Sequence, residues 1–283
     1  MTSPRILLRA WQVPPLKQLG QHFLTDGATA AAIVHRAGIL PQERVLEIGA
    51  GLGALTHHLS RSADRVYAVE KDKRIARLLA AELTAARSDN VVLINADVLK
   101  VDIRRLAAGP EGRLVAVGNL PYSISSQILL QLIQERAFLK KAVLMFQKEL
   151  AQRLMAQAGG KDYGRLSVLL QYCARVRSLM DVKAACFHPR PKIDSQVLEI
   201  AFKKHIQPAA RDETFFIAVI KAAFSKRRKT LKNALSASPL PVDAATTVKV
   251  LTDSGIDPAR RAETLDVAAF VALSNRLYPL CRP

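Results

Sequence analysis

Cysteine is scarce in this chain of 283 residues: the three copies, Cys173, Cys186 and Cys281, lie far apart. An odd, scattered set builds neither a disulfide framework nor a zinc site, so no metal is expected and a reducing compartment, the cytoplasm, is the expected location. Long apolar runs are also missing, none reaching the roughly 18 residues that a membrane-spanning helix needs. Nor is there a secretory apolar region followed by a small-residue cleavage site. Acid is in short supply. Lys and Arg together number 42 against 24 Asp and Glu, a net charge of +18 with an isoelectric point near 10.2. That balance suits a polyanionic partner, either nucleic acid or an anionic membrane surface. No acid precedes Asp26, while Arg5, Arg9 and Lys17 do. Pro4, Pro14 and Pro15 interrupt any long amphipathic helix there, so residues 1–17 are expected to form a basic arm that orders on its partner.

What is present is a hydrophobic content of 49%, enough for one large core and a smaller second domain. Short apolar runs at 44–48, 65–69, 91–94, 114–117 and 142–146 read as strands, and 55–59, 75–83 and 128–133 carry helical spacing between them. Buried strands alternating with helices predict a parallel α/β sheet covered on both faces. A further strand is expected at 197–202, then a polar linker at 203–212, then mostly helix from 213 to 277 with breaks at 238–241 and 255–258. The expected boundaries are therefore an arm at 1–17, a catalytic domain at 18–204 and a helical domain at 212–283.

"VLEIGAGLGALT" (45–56) sets Gly49, Gly51 and Gly53 between a strand and a helix, where positive φ and close approach of a ligand favour glycine. Glu70 ends the next strand at the spacing of an acid that binds ribose hydroxyls. The G-x-G-x-G spacing departs from the dinucleotide pattern, and Glu47 and Asp97 add carboxylates that would repel a pyrophosphate. A cofactor with an adenosine and a sulfonium cation but no phosphate suits this set, which describes S-adenosylmethionine (SAM).

The run "AVGNLPYSIS" (116–125) ends the fourth strand of that sheet, beside the glycine turn. Asn119 offers a side-chain carbonyl, Leu120 a backbone carbonyl that Pro121 helps hold extended, and Tyr122 a face on which a heterocycle can stack. Two acceptors converging on one amine beside a methyl donor suit an exocyclic base amine as the methyl acceptor. A plain strand-ending turn is the competing reading of N-x-P-Y taken alone.

Together with "GQHFL" (20–24), "NADVL" (95–99), "KDYGRLSVLLQY" (161–172), "FHPRPKIDS" (187–195) and "FSKRRKTLKNAL" (224–235), these motifs resemble the small-subunit ribosomal RNA adenine N6,N6-dimethyltransferases over about 18–277. The resemblance implies a Rossmann-like SAM-dependent methyltransferase sheet with a small C-terminal helical domain. It also implies dimethylation of two adjacent adenosines in the 3′-terminal hairpin of 16S rRNA during small-subunit assembly. By the same resemblance Gly49, Glu70, Asp97 and Asn119 bind SAM. Asn119, Leu120, Pro121 and Tyr122 then hold the target adenine, with Phe187 over its other face. The family usually carries Asn where this chain has His22; His22 and Leu24 are kept as cofactor-side residues.

The acid-free stretch 221–235 includes Lys226, Arg227, Arg228 and Lys229, and apolar Phe224, Leu231 and Leu235 would anchor it as a docked helix facing rRNA phosphates. A monomer with no membrane partner is expected. The rival readings are a noncatalytic RNA-binding or transcription factor on the same fold, and a large-subunit rRNA adenine dimethyltransferase.

Overall fold

The computed structural model describes residues 4–16, 20–108, 112–226 and 228–281, which divide into two compact units. In chain order the strands are β1 (Phe23–Leu24), β2 (Arg44–Ile48), β3 (Arg65–Glu70), β4 (Val91–Asn95), β5 (Leu114–Asn119), β6 (Leu139–Gln147), β7 (Ala174–Val182), β8 (Phe187–His188) and β9 (Ser195–Phe202). The helices up to the end of β6 are α1 (Pro4–Ala10), α2 (Gly27–Ala37), α3 (Thr56–Leu59), α4 (Lys73–Ala85), α5 (Ile103–Ala107) and α6 (Ser125–Gln134). After it come α7 (Lys148–Met155), α8 (Arg165–Cys173), α9 (Glu213–Ala223), α10 (Leu231–Ser236), α11 (Ala244–Asp253) and α12 (Val267–Cys281).

The first unit, Met1–Ala151 with Val176–Phe202, carries a seven-stranded sheet in the order β4-β3-β2-β5-β6-β9-β7. From β2 to β6 all pairings are parallel, whereas β9 runs antiparallel to β6. The strands that alternate with helices are thus parallel as expected, and the strand at 195–202, whose direction the sequence left open, makes the sheet mixed. Val45 to Ile48 and Leu114 to Val117 are buried at every position, as strands covered on both faces must be. One covering layer comes from Ala30, Ile33, Val34 and Ala37 of α2, Leu59 of α3 and Leu79 and Leu83 of α4, packed on Val45, Val66, Val115 and Val117. The edge strand β7 was not anticipated, because "ARVRSLMDV" is largely exposed and charged and carries no apolar run. Asp26, Asp72 and Asp102 cap α2, α4 and α5 by accepting from first-turn amides, which sets where each helix starts.

The second unit joins Gln152–Arg175 to Lys203–Pro283. The sequence-based boundaries had placed 152–175 in the catalytic domain. In the structure α8 packs on α9 and α12. Tyr172 lies 4.5 Å from the ring of Phe216, and its hydroxyl donates to Glu213 at 3.3 Å and accepts from the Ala210 amide at 3.1 Å. Phe216, Val219, Leu231, Leu251, Phe270 and Leu277 are fully enclosed. No helix among the described residues is long and apolar enough to cross a membrane.

Candidate active site

The strand order reverses at β2, which has β3 on one side and β5 on the other. Ligands of such sheets sit where the carboxyl ends diverge. Ile48 pairs with Gly118, so the glycine turn that leaves β2 and the Asn119–Tyr122 turn that leaves β5 emerge side by side. Gly49, Gly51 and Gly53 have φ of +72°, +56° and +86°, a region that L side chains rarely adopt. Gly118 serves differently: a Cβ there would lie 2.6 Å from the Ile48 carbonyl oxygen, so its lack of a side chain lets β2 and β5 close up.

A cavity opens at this junction, walled by the glycine turn, Glu47, Glu70, Asp97, Asn119–Ile124 and the segment Gly20–Leu24. Glu47 is buried, and its Oε2 has no hydrogen-bond partner. Burial pushes this carboxyl up to about 8; the neighbouring charge of Glu70 adds to the shift, and Thr56 offsets only part of it. Burial also raises Glu70, although its Oε2 accepts from the Gly51 amide at 2.9 Å and its Oε1 from the Asp72 amide at 2.8 Å. Asp97 is held below the usual carboxylate range by Lys71, 2.8 Å away, and also caps the turn at Leu99. Lys71, the one lysine among the described lining residues, is thus already paired. A carboxylate-rich wall with an orphaned acid and bare glycine backbone fits a cationic, phosphate-free nucleoside cofactor.

Beside it, Asn119 Nδ2 donates to the His22 carbonyl at 2.9 Å, so Oδ1 is the end of the amide left to accept. Tyr122 is half-buried, its hydroxyl bonded to Ser195 Oγ at 2.6 Å and its ring stacked on His22 at 5.6 Å between centroids. His22 Nδ1 donates to the Pro189 carbonyl at 2.7 Å. One residue of "GQHFL" thereby touches Asn119, Tyr122 and the loop after β8. Leu24 is buried and lines the same cavity, as do Leu120 and Pro121. Sequence reasoning missed Ser195, Pro189 and Lys71, whose roles arise only when distant segments meet.

Two expectations are corrected. Phe187 is not among the residues that line the cavity: its ring is 1% exposed and packs in the core with Leu24, α2 and sheet residues. The basic stretch 221–235 is not one helix, because α9 ends at Ala223 and Thr230 caps a separate α10. Lys226, Arg228 and Lys229 stand exposed on the turn between them, while Arg227 lies outside the described residues. The proposed anchors do hold that turn: Leu231 and Leu235 are buried, and Phe224 packs between Tyr163 and Phe270.

The sheet order, the glycine turn and the paired turn at β5 define a SAM-dependent methyltransferase. A family model described as ribosomal RNA adenine dimethylase matches residues 16–277, and the chain belongs to that family. It is 48% identical over 280 residues to "Ribosomal RNA small subunit methyltransferase A" of Desulforapulum autotrophicum, covering 99% of this chain and 98% of that protein. The protein of the same name from Moorella thermoacetica is 41% identical, covering 96% of this chain and 95% of the relative. Among solved structures, a dimethyladenosine transferase from Plasmodium falciparum superposes with a TM-score of 0.76 at 26% identity, covering 89% of this chain and 96% of that one. This chain is accordingly an rRNA adenine dimethyltransferase whose methyl donor is SAM.

Proposed function

We propose that the enzyme dimethylates the N6 amines of two adjacent adenosines in the 3′-terminal hairpin of 16S rRNA on the assembling small subunit, as a cytoplasmic monomer. The observation that carries the chemistry is the Ile48–Gly118 register, which sets a cofactor turn against Asn119 with its amide oriented by His22. The choice of subunit rests on relatives that are 41–48% identical and named for the small subunit.

When bound, SAM supplies an electrophilic methyl group. Glu70 would hold its ribose hydroxyls and Asp97 its adenine edge, with Glu47 among the carboxyl groups that suit its positive charge. Asn119 Oδ1 and the Leu120 carbonyl accept the N–H bonds of the target amine, which favours a pyramidal nitrogen whose lone pair is free to attack. With His22 on one face of its ring, Tyr122 presents the other to an adenine drawn out of its stack. The exposed Lys226, Arg228 and Lys229 of the helical unit neutralise rRNA phosphates.

The test is transfer of labelled methyl groups to unmethylated small subunits, to large-subunit RNA or to neither, with the modified base mapped. Dimethyladenosine confined to the small-subunit hairpin supports the reading; label in large-subunit RNA refutes it. Asn119→Ala should nearly abolish both transfers while leaving SAM binding measurable.

A further inference from the structure

The described residues 4–16 line no part of the site above, yet they are folded. Pro4 opens α1, where its missing N–H costs no hydrogen bond. Leu7 and Leu8 are buried, and Leu8 packs with Val13 against Phe23, Leu52, Ile75 and Leu78. Phe23 and Leu52 also line the cofactor cavity, so α1 is seated on the outside of that cavity's wall. The expectation of an arm without its own structure is corrected here, because apolar residues at positions 7, 8 and 13 give it a docking face.

The end of α1 is sharply defined. Gln12 adopts φ +53°, and the Val13 amide donates back to the Leu8 carbonyl at 3.0 Å, the reversal that ends a helix with an apolar contact across it. A second tie follows, from the Leu16 amide to Gln21 Oε1 at 2.7 Å. Between these fixed points stands Trp11, whose amide donates to Leu7 at 3.0 Å. The residue is nevertheless left 56% exposed, and Arg9, two positions earlier in the chain, is exposed as well. It is the sole tryptophan of the chain, and no carboxylate precedes Asp26. A large aromatic face held on a capped helix end, in a stretch of chain whose charged residues are all basic, is complementary to a base joined to phosphates.

We infer that Trp11 and Arg9 form a contact for single-stranded RNA outside the catalytic cavity, with the indole stacking on an unpaired nucleotide that flanks the hairpin holding the target adenosines and Arg9 neutralising a phosphate. This rests on the rRNA substrate proposed above, which it extends by a second nucleotide subsite.

Because there is one tryptophan, indole emission of the full chain reports on this position alone. The protein is titrated with the unmethylated 3′-terminal hairpin carrying single-stranded flanks, and separately with the same hairpin cut flush. The flanked RNA should quench emission and the flush duplex should not. Trp11→Ala should weaken binding of the flanked RNA roughly 5- to 100-fold, while Trp11→Phe keeps most of it and both bind SAM as the parent does. Unchanged emission at saturating flanked RNA, or parental affinity in Trp11→Ala, overturns the inference. So does an emission change that appears only when ribosomal proteins are present. Should Trp11→Ala fold poorly, quenching in the parent protein and the affinity of Trp11→Phe still decide. Methylation of small subunits by the parent enzyme is scored in parallel. Normal methylation without quenching removes this contact alone, whereas quenching without methylation removes the proposed reaction and leaves the contact standing.

Discussion

Glu47 should couple SAM binding to proton release. Its carboxyl is buried against the cofactor cavity, one oxygen is unpartnered, and burial raises it from 4.5 to about 8. At pH 7 such a group is roughly nine-tenths protonated, and a cation arriving in the cavity favours the ionised form. Binding should therefore expel close to one proton per site at pH 7. Affinity should rise by roughly 20- to 50-fold between pH 6 and pH 8 and then level off. S-adenosylhomocysteine, whose sulfur is neutral, should show a weaker dependence.

The same shift has a consequence for the free enzyme. The folded state holds a proton that the unfolded chain has lost between pH 4.5 and about 8, so Glu47's own contribution to stability is least unfavourable at low pH and worsens as pH rises through that window. At pH 7 the penalty is on the order of 3 kcal/mol, and Glu47→Gln, which mimics the protonated acid, should recover much of it. The assay is calorimetric titration of SAM in buffers of different ionisation enthalpy, which counts protons directly. The ligand's own α-amino group titrates near pH 8 as well, so Glu47→Gln is the reference from which Glu47's share is read. Equal proton release by the parent and Glu47→Gln would falsify the coupling and leave Glu47 a spectator.

Further outcomes follow from packing and charge. Gly118→Ala brings a methyl group to 2.6 Å from the Ile48 carbonyl oxygen and should destabilise by about 1–3 kcal/mol while weakening SAM binding, read by denaturant melts and calorimetry. Phe187→Ala should cost about 3–5 kcal/mol of stability, since the ring is enclosed in the core; a variant as stable as the parent would show that the ring is not packed there in solution. Replacing Arg228 and Lys229 with Gln should lower the slope of log affinity against log salt for subunit binding by up to roughly 0.7–0.9 per lost phosphate contact, with SAM affinity unchanged. Glu70→Gln keeps the size of the side chain but weakens its acceptor roles, from the Gly51 and Asp72 amides and toward ribose, and should reduce SAM affinity by about 1–3 kcal/mol on calorimetry.

The sequence by itself determined the elements whose signal is local. Short apolar runs marked β2, β3, β4, β5, β6 and β9, and three glycines between a strand and a helix marked a turn with positive φ. The carboxylates at 47, 70 and 97 were legible because a strand end is where a side chain meets a ligand. Tertiary structure decided what local pattern does not encode. Phe187 sits in a motif that reads as a loop over the base, yet its ring is enclosed in the core with α2 and sheet residues, a packing that no local pattern encodes. The arm at 1–17 reads from its charge and prolines as a segment that orders on a partner, and the helix Pro4–Ala10 within it forms because Phe23, Leu52, Ile75 and Leu78 together offer a surface for Leu8. β7 escaped notice because an edge strand needs no apolar run. The orientation of Asn119 and the seat of Tyr122 depend on His22, Pro189 and Ser195, brought from 22 to 195 in the chain onto one cavity. Local propensity acts over a few neighbouring residues, whereas those contacts exist only once the sheet has closed and the loops at its carboxyl edge have met.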